Sequence, residues 1–499
     1  MWAGKAARRR VTLPDVAGSF LWYDLETFGT DPRWDRIAQF AAVRTDMNLQ
    51  EIAEPVVLHG RISPDYLPAP EACMVTGLTP KRTAEGLVEA QLAEHIYAEM
   101  AQPGTCSAGF NSIRFDDEFI RNLFYRNFID PYRREWDRGN SRWDLLPLLR
   151  LAHDLRPSGM EWLHDGERPV FRLEELSSAN GVAHDAAHDA LSDVRATIGL
   201  ARRLREAQPR LFDFYLELRR KDAVRRIVNL QNREPVLFSD PLFTRAEGTT
   251  SMVLPLTAAK NRSNEIIAFD LRSDPHDLME ADADELRRRV FSSRNELAEG
   301  ERIPLVRIAV NRVPAVAPRT TLTAERAAAL SLDLPAMEQR AAVLRSRLDE
   351  DPALAGRIRA LYDDNGPPAY RDVDLNLYAG GFFGDEDRTV FERIRGSRPE
   401  DLISSPPVFA DARGSDMLFR YLGRNYPEAL PPDARRRWQS HCAGRLLAPE
   451  YEGATDLHRF RTQITTKMQR TDIAPRDKTV LRDLRDYADW LERHILHGA

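Results

Sequence analysis

The stretch Phe20-Leu-Trp-Tyr-Asp-Leu-Glu-Thr-Phe-Gly29 decides how the first third of this 499-residue chain reads. Its apolar run predicts a β-strand, and side chains two apart on a strand point the same way. Asp24 and Glu26 therefore share a face while Leu25 turns away. Two adjacent carboxylates repel each other and are costly to bury unless a proton or a cation intervenes. A divalent metal meets that need, and an all-oxygen donor set suits magnesium or manganese. A polar strand end is the plainer reading of Asp-x-Glu alone, so further ligands must come from elsewhere in the chain.

Two later segments offer them. Gly109-Phe-Asn-Ser-Ile-Arg-Phe-Asp-Asp-Glu118 reads as a strand end, a short loop and a helix start. Asp116 is a candidate third carboxylate; either it or Asp117 would also serve as a helix N-cap. Ala183-His-Asp-Ala-Ala-His-Asp-Ala-Leu-Ser-Asp-Val194 opens an amphipathic helix with apolar positions Leu191, Val194, Ile198, Ala201 and Leu204. Asp189 is the expected N-cap, Asp193 lies one turn inside, and His188 precedes the helix, free to swing over whatever Asp193 holds. His184 reads as an ordinary structural or solvated histidine.

In order, the set is Asp-x-Glu on a strand, Phe-Asp at a strand-to-helix junction, and His-x4-Asp on a helix. This resembles the DEDD superfamily of 3′-to-5′ exonucleases on the ribonuclease H-like fold. The position four before Asp193 holds Asp189 rather than tyrosine, which indicates the histidine branch. The runs Tyr23–Pro32, Gln39–Asp46, Val75–Pro80, Asn122–Phe128, Ser141–Leu146, Ala207–Asp213 and Tyr378–Arg388 resemble the bacterial exodeoxyribonuclease I family more narrowly. The likeness is dense in the first third and sparser after Asp213.

The resemblance implies a metal-dependent enzyme that degrades single-stranded DNA to 5′-mononucleotides in repair and recombination. Two Mg²⁺ ions, replaceable by Mn²⁺, would be held by Asp24, Glu26, Asp116 and Asp193, with Asp24 shared between them. His188 would take the proton from the attacking water, as an imidazole that is mostly neutral at working pH can. Substrate contacts are expected from Glu26, from the backbone of Thr27, from Phe28 stacking on the terminal base, from Asn111 and from Arg156. Core packing is the alternative for Phe28 and a solvated loop for Arg156. The family also docks the acidic C-terminal tail of single-stranded DNA-binding protein, a partner whose contact residues cannot be singled out from this sequence.

Length and composition frame the rest. The chain is too long for one core. The expected α/β architecture is a ribonuclease H-like exonuclease domain (19–207) behind a basic, disordered tail (1–18), then a β-rich SH3-like domain (208–355) and a C-terminal helical domain (356–499). Strands are read at 20–30, 37–46, 54–62 and near 105–111, and helices near 84–101, 117–129 and 143–154. Further on, apolar stretches at 235–243, 250–257, 264–271 and 303–311 flank a charged helix at 276–297. Asp363–Ala369 reads as a linker.

The three cysteines are widely spaced and suit a reducing cytoplasm. No apolar run spans a bilayer, and no signal peptide is expected. A net charge of −6 argues against a uniformly basic coat, although Arg202–Arg233 carries ten basic residues against four acids. A monomer is expected. The alternatives are an RNA-directed exonuclease of the same branch, expected as a single domain, and a non-catalytic DNA- or protein-binding scaffold, which would have lost a metal ligand.

Overall fold

The computed structural model describes residues 18–184, 189–298, 300–363 and 369–496. The expected tail at 1–18 and linker at 363–369 therefore fall almost wholly outside the described residues. Strands β1 (Ser19–Thr27), β2 (Ile37–Asp46) and β3 (Val56–His59) form an antiparallel meander. Helices α1 (Pro70–Thr76) and α2 (Glu89–Met100) follow. Next come β4 (Thr105–Gly109), α3 (Asp116–Arg126) and β5 (Ser141–Asp144), with β4 parallel to β1 and β5 parallel to β4. The sheet order β3-β2-β1-β4-β5 puts β1 at the centre.

The unit closes with α4 (Leu145–Leu155), a short hairpin of β6 (Leu163–Asp165) and β7 (Arg168–Val170), α5 (Leu173–Ala179) and α6 (Ala190–Ala207). The mixed sheet is the one the ribonuclease H-like reading requires.

Alternation along β1 sorts the core. Phe20 and Trp22 pack with α4 and α6 on one face, while Leu21, Tyr23 and Leu25 pack with α2 and α3 on the other. Asp24 and Glu26 continue the first of these faces, so the strand itself delivers them toward α6. Val194, Ile198, Ala201 and Leu204 bury the apolar stripe of that helix.

Helices α7 (Pro209–Glu217) and α8 (Lys221–Ile227) lead into a second, antiparallel sheet. It comprises β8 (Val236–Ser239), β9 (Thr250–Ala258), β10 (Glu265–Asp270), β11 (Leu305–Ala309) and β12 (Ala315–Pro318), in the order β11-β10-β9-β8-β12. Its core is continuous with the α4 and α6 side of the first sheet. Asp154 stitches that joint: its buried carboxylate accepts from Thr249 N at 2.9 Å and from Thr250 Oγ1 at 2.5 Å. The last third is helical, including Arg413–Asn425, Pro432–Leu447, Leu457–Met468 and Pro475–Leu491. Its core incorporates Phe28, Trp34, Tyr66 and Phe128 from the first unit.

Several elements depart from the sequence reading. The helix expected over 143–154 is preceded by β5, whose pairing with β4 takes Trp143 and Asp144 out of it. The charged helix at 276–297 breaks after His276–Glu280, because Asp282 accepts from Asp284 N and Glu285 N and starts a new helix, Ala283–Phe291. The helices α7 and α8 and strand β12 are additions.

Candidate active site

Three carboxylates meet where β1 ends against the first turn of α6. Ligand oxygens of Asp24, Glu26 and Asp193 lie within 4.8 Å of one another. Asp189 caps α6 by accepting from Ser192 N at 3.2 Å, which sets where Asp193 falls. Gln39, opposite Glu26 in the β1–β2 register, accepts from Ala190 N at 3.3 Å and ties the helix start to the sheet.

Asp116, at the start of α3 and 4% exposed, is the strongest charge acting on Asp24. Burial raises the Asp24 carboxyl well above its ordinary range, and Asp116, Asp193, Glu26 and Asp189 push it further. Burial followed by Asp193 and Asp189 lifts Glu26 to about 8. Asp116 is raised by burial and then by Asp117. The charges acting most strongly on Asp24 and Glu26 are all negative, so the set fits a divalent cation with hard oxygen ligands.

The choice between Asp116 and Asp117 is made by partners far away in sequence. Asp117 does not cap α3; it accepts from Tyr23 Oη at 2.7 Å, from Arg142 Nη1 at 2.7 Å and from Arg134. Its charge is spent on that buried network, whose arginines hold its carboxyl far below the usual range against the opposing effect of burial. Asp116 instead acts on Asp24, more strongly than any other charge there.

Asp144 holds the loop between β4 and α3. It N-caps α4 through Leu146 N at 3.1 Å and also accepts from Asn111 N at 2.8 Å and Ile113 N at 3.1 Å. An aspartate directly before Leu145-Leu-Pro was a readable cap signal, but its grip on the neighbouring loop was not. Asp144→Ala should orphan these buried donors and cost about 3 kcal/mol. By loosening Asp116 it should slow turnover roughly 10- to 100-fold with KM little changed. Urea unfolding beside steady-state kinetics checks both.

The remaining sequence candidates divide. Asn111 sits in the left-handed region (φ 63°), half-buried beside the carboxylates' loop. Thr27 donates its hydroxyl to Gly29 O at 2.6 Å, with its backbone at the end of β1. Phe28 is 1% exposed inside the core shared with the helical third, so the packing alternative holds and no ring face is open to a base. Arg156 donates to Leu155 O at 2.6 Å and to Thr321 O, beyond the second sheet in sequence, at 3.0 Å. His188 lies outside the described residues. His184, read as incidental, instead places Nε2 2.5 Å from Asp193 Oδ1.

Family models agree with this three-part build. Residues 21–201 match an exonuclease model, 219–364 the exonuclease I SH3-like domain, and 371–491 the exonuclease I C-terminal domain. Exodeoxyribonuclease I of Escherichia coli is 38% identical over 436 residues, covering 87% of this chain and 90% of its own. The chain belongs to the exonuclease I family.

Exonuclease I of Methylocaldum szegediense superposes with a TM-score of 0.90 at 41% identity, covering 95% of this chain and 99% of the other. The E. coli exonuclease I crystal structure in complex with a dA16 oligonucleotide gives 0.89 at 35% identity, covering 95% and 100%. Asp24, Glu26, Asp116 and Asp193 all lie within the residues matched by the exonuclease model. The exonuclease I SH3-like and C-terminal models cover the two domains that a single-domain RNA exonuclease would lack.

Proposed function

We propose that this exonuclease I family member hydrolyses single-stranded DNA from its 3′ end to 5′-mononucleotides at the Asp24, Glu26, Asp116 and Asp193 site. The observation that carries the reading is the convergence of Asp24, Glu26 and Asp193, whose ligand oxygens lie within 4.8 Å of one another, with the charges acting most strongly on Asp24 and Glu26 all carboxylates. Two Mg²⁺ ions held there, or Mn²⁺ in their place, would activate the water and stabilise the charge on the phosphate and the leaving oxygen. Asp24, Glu26 and Asp193 are the assigned holders on β1 and α6, with Asp116 joining from α3. Asp144 and Gln39 keep the loop and the helix start in register with the strand. His188, five residues before Asp193, is assigned the proton from the attacking water.

A path for the strand runs between the domains. A cavity of about 830 Å³ is lined by Arg114, Arg150, Arg262, Arg307 and Arg312 together with Asp240 and Glu265, which pair with Arg114 and Arg307. A second, of about 1260 Å³, shares Arg262 and Arg312 and reaches Trp136, Tyr378 and Phe382. Phe382 is 79% and Trp136 65% exposed, and aromatic faces beside arginines suit unpaired bases and their phosphates. Stacking of this kind contributes about 1–3 kcal/mol per base whatever the sequence.

The same reading includes domain limits at 19–207, 208–355 and 356–499, a monomeric state, a role in DNA repair and a cytoplasmic setting. It also includes the acidic tail of single-stranded DNA-binding protein as a partner. Among the described residues no helix is long and apolar enough to cross a membrane.

Digestion of 5′-labelled single-stranded DNA, its duplex and the matching RNA, each with Mg²⁺ or EDTA, tests the proposal. Metal-dependent shortening of the single strand from its 3′ end, with duplex and RNA spared, is expected. Faster loss of RNA, or DNA binding without digestion, would overturn it.

A further inference from the structure

We infer that His184 is a positioning residue that holds the carboxylate of Asp193 in place to receive a cation, an inference resting on the carboxylate reading above. His184 stands nine residues before Asp193, outside the His-x4-Asp spacing. Its Nε2 nevertheless lies 2.5 Å from Asp193 Oδ1, with the imidazole side chain 6% and the carboxylate 17% exposed.

The hydrogen of this contact can be placed. His184 Nδ1 is buried and has no hydrogen-bond partner among the described residues. A proton on Nδ1 alone would set two acceptors against each other across 2.5 Å. The proton therefore belongs on Nε2, which donates to Asp193.

The contact answers a specific difficulty. Asp193 sits close to Asp24 and Glu26, and like charges at that range push it away. An aspartate in a first helical turn has rotamers that would carry its carboxylate off toward solvent. A donor on Oδ1 opposes that escape. Hydrogen-bond partners of metal ligands typically set affinity by 10- to 100-fold. His184 thus acts on cation affinity, whereas His188 is assigned to proton transfer.

Mn²⁺ binding to the full chain without DNA, measured by calorimetry, tests the assignment. His184→Ala should bind Mn²⁺ about 10- to 100-fold more weakly. Digestion by this variant should need correspondingly more metal for half-maximal rate but approach the unsubstituted kcat at saturation. His184→Gln, which keeps an N–H donor, should recover part of the affinity. Unchanged Mn²⁺ affinity in His184→Ala would overturn the inference.

Should the alanine variant fail to fold, His184→Gln against His184→Leu decides, since both fill the space and only one carries a donor. Equal Mn²⁺ affinities in that pair would overturn the inference. Asp193→Asn separates the two levels: if it binds Mn²⁺ as the unsubstituted chain does, the carboxylate reading fails as well.

Discussion

Asp24→Asn is expected to lose at least about 10³-fold in turnover while melting at a higher temperature than the unsubstituted chain in EDTA. The two effects share one cause. Asp24 is half-buried among Asp116, Asp193, Glu26 and Asp189, all of which oppose its charge. A neutral amide of the same shape removes that repulsion, and with it a carboxylate needed to hold a cation. Loss of activity with loss of stability would instead mark Asp24 as a structural residue.

A pH series in EDTA adds an independent reading. The folded-state value of Glu26 is raised to about 8 from an ordinary 4.5, by burial first and then by Asp193 and Asp189. Its protonated form therefore favours the folded chain, and that contribution is complete below pH ~4.5 and lost as the pH rises through about 8. Melting temperature from this cluster should fall from pH 5 to 8.5 in EDTA and level out when Mg²⁺ is present. Scanning calorimetry at fixed ionic strength measures both arms.

Arg424→Ala is expected to cost about 3–5 kcal/mol and to loosen the C-terminal helices from the nuclease domain. Arg424 donates to Asp374 Oδ2 at 2.5 Å and lies 3.5 Å from Asp65 Oδ2 and 3.4 Å from Glu89 Oε2. Asp65 and Glu89 belong to the first unit, so one buried guanidinium spans the seam. Burial alone would raise Asp65 and Asp374, but Arg424 with its neighbouring arginines holds both below the usual carboxylate range.

Removing Arg424 takes the shortest contact from Asp374 and leaves Asp65 and Glu89 to Arg445 and Arg126. Arg424→Lys should rescue little, because a single ammonium cannot serve three carboxylates in a fork. Limited proteolysis should release the helical third first, and activity should fall more on long single strands than on short oligonucleotides. Depressed carboxylates stabilise the fold above their ordinary range near pH 4 and lose that contribution as the pH falls further. Acid thus weakens the seam while it relieves the carboxylate site.

Much of this could be read locally. Alternation along Phe20–Gly29 predicted the central strand and put Asp24 and Glu26 on one face, as β1 does. The apolar stripe after Asp189 predicted α6 and its cap. Strand β5 could not be read that way, because Ser141–Asp144 is extended only through its pairing with β4.

By itself, then, the sequence determined the chemistry: residue types at short spacings state which carboxylates lie on which element, and the quoted runs carry the family likeness. The tertiary structure alone decided between neighbours of equal chemistry. Asp116 is available and Asp117 is not because Tyr23, Arg134 and Arg142 arrive at Asp117 from other elements. Phe28 is core because the C-terminal helices cover it, and His184 meets Asp193 across nine residues of sequence, outside the His-x4-Asp spacing. Burial, pairing and desolvation are sums over groups brought together by folding, and no local spacing records them.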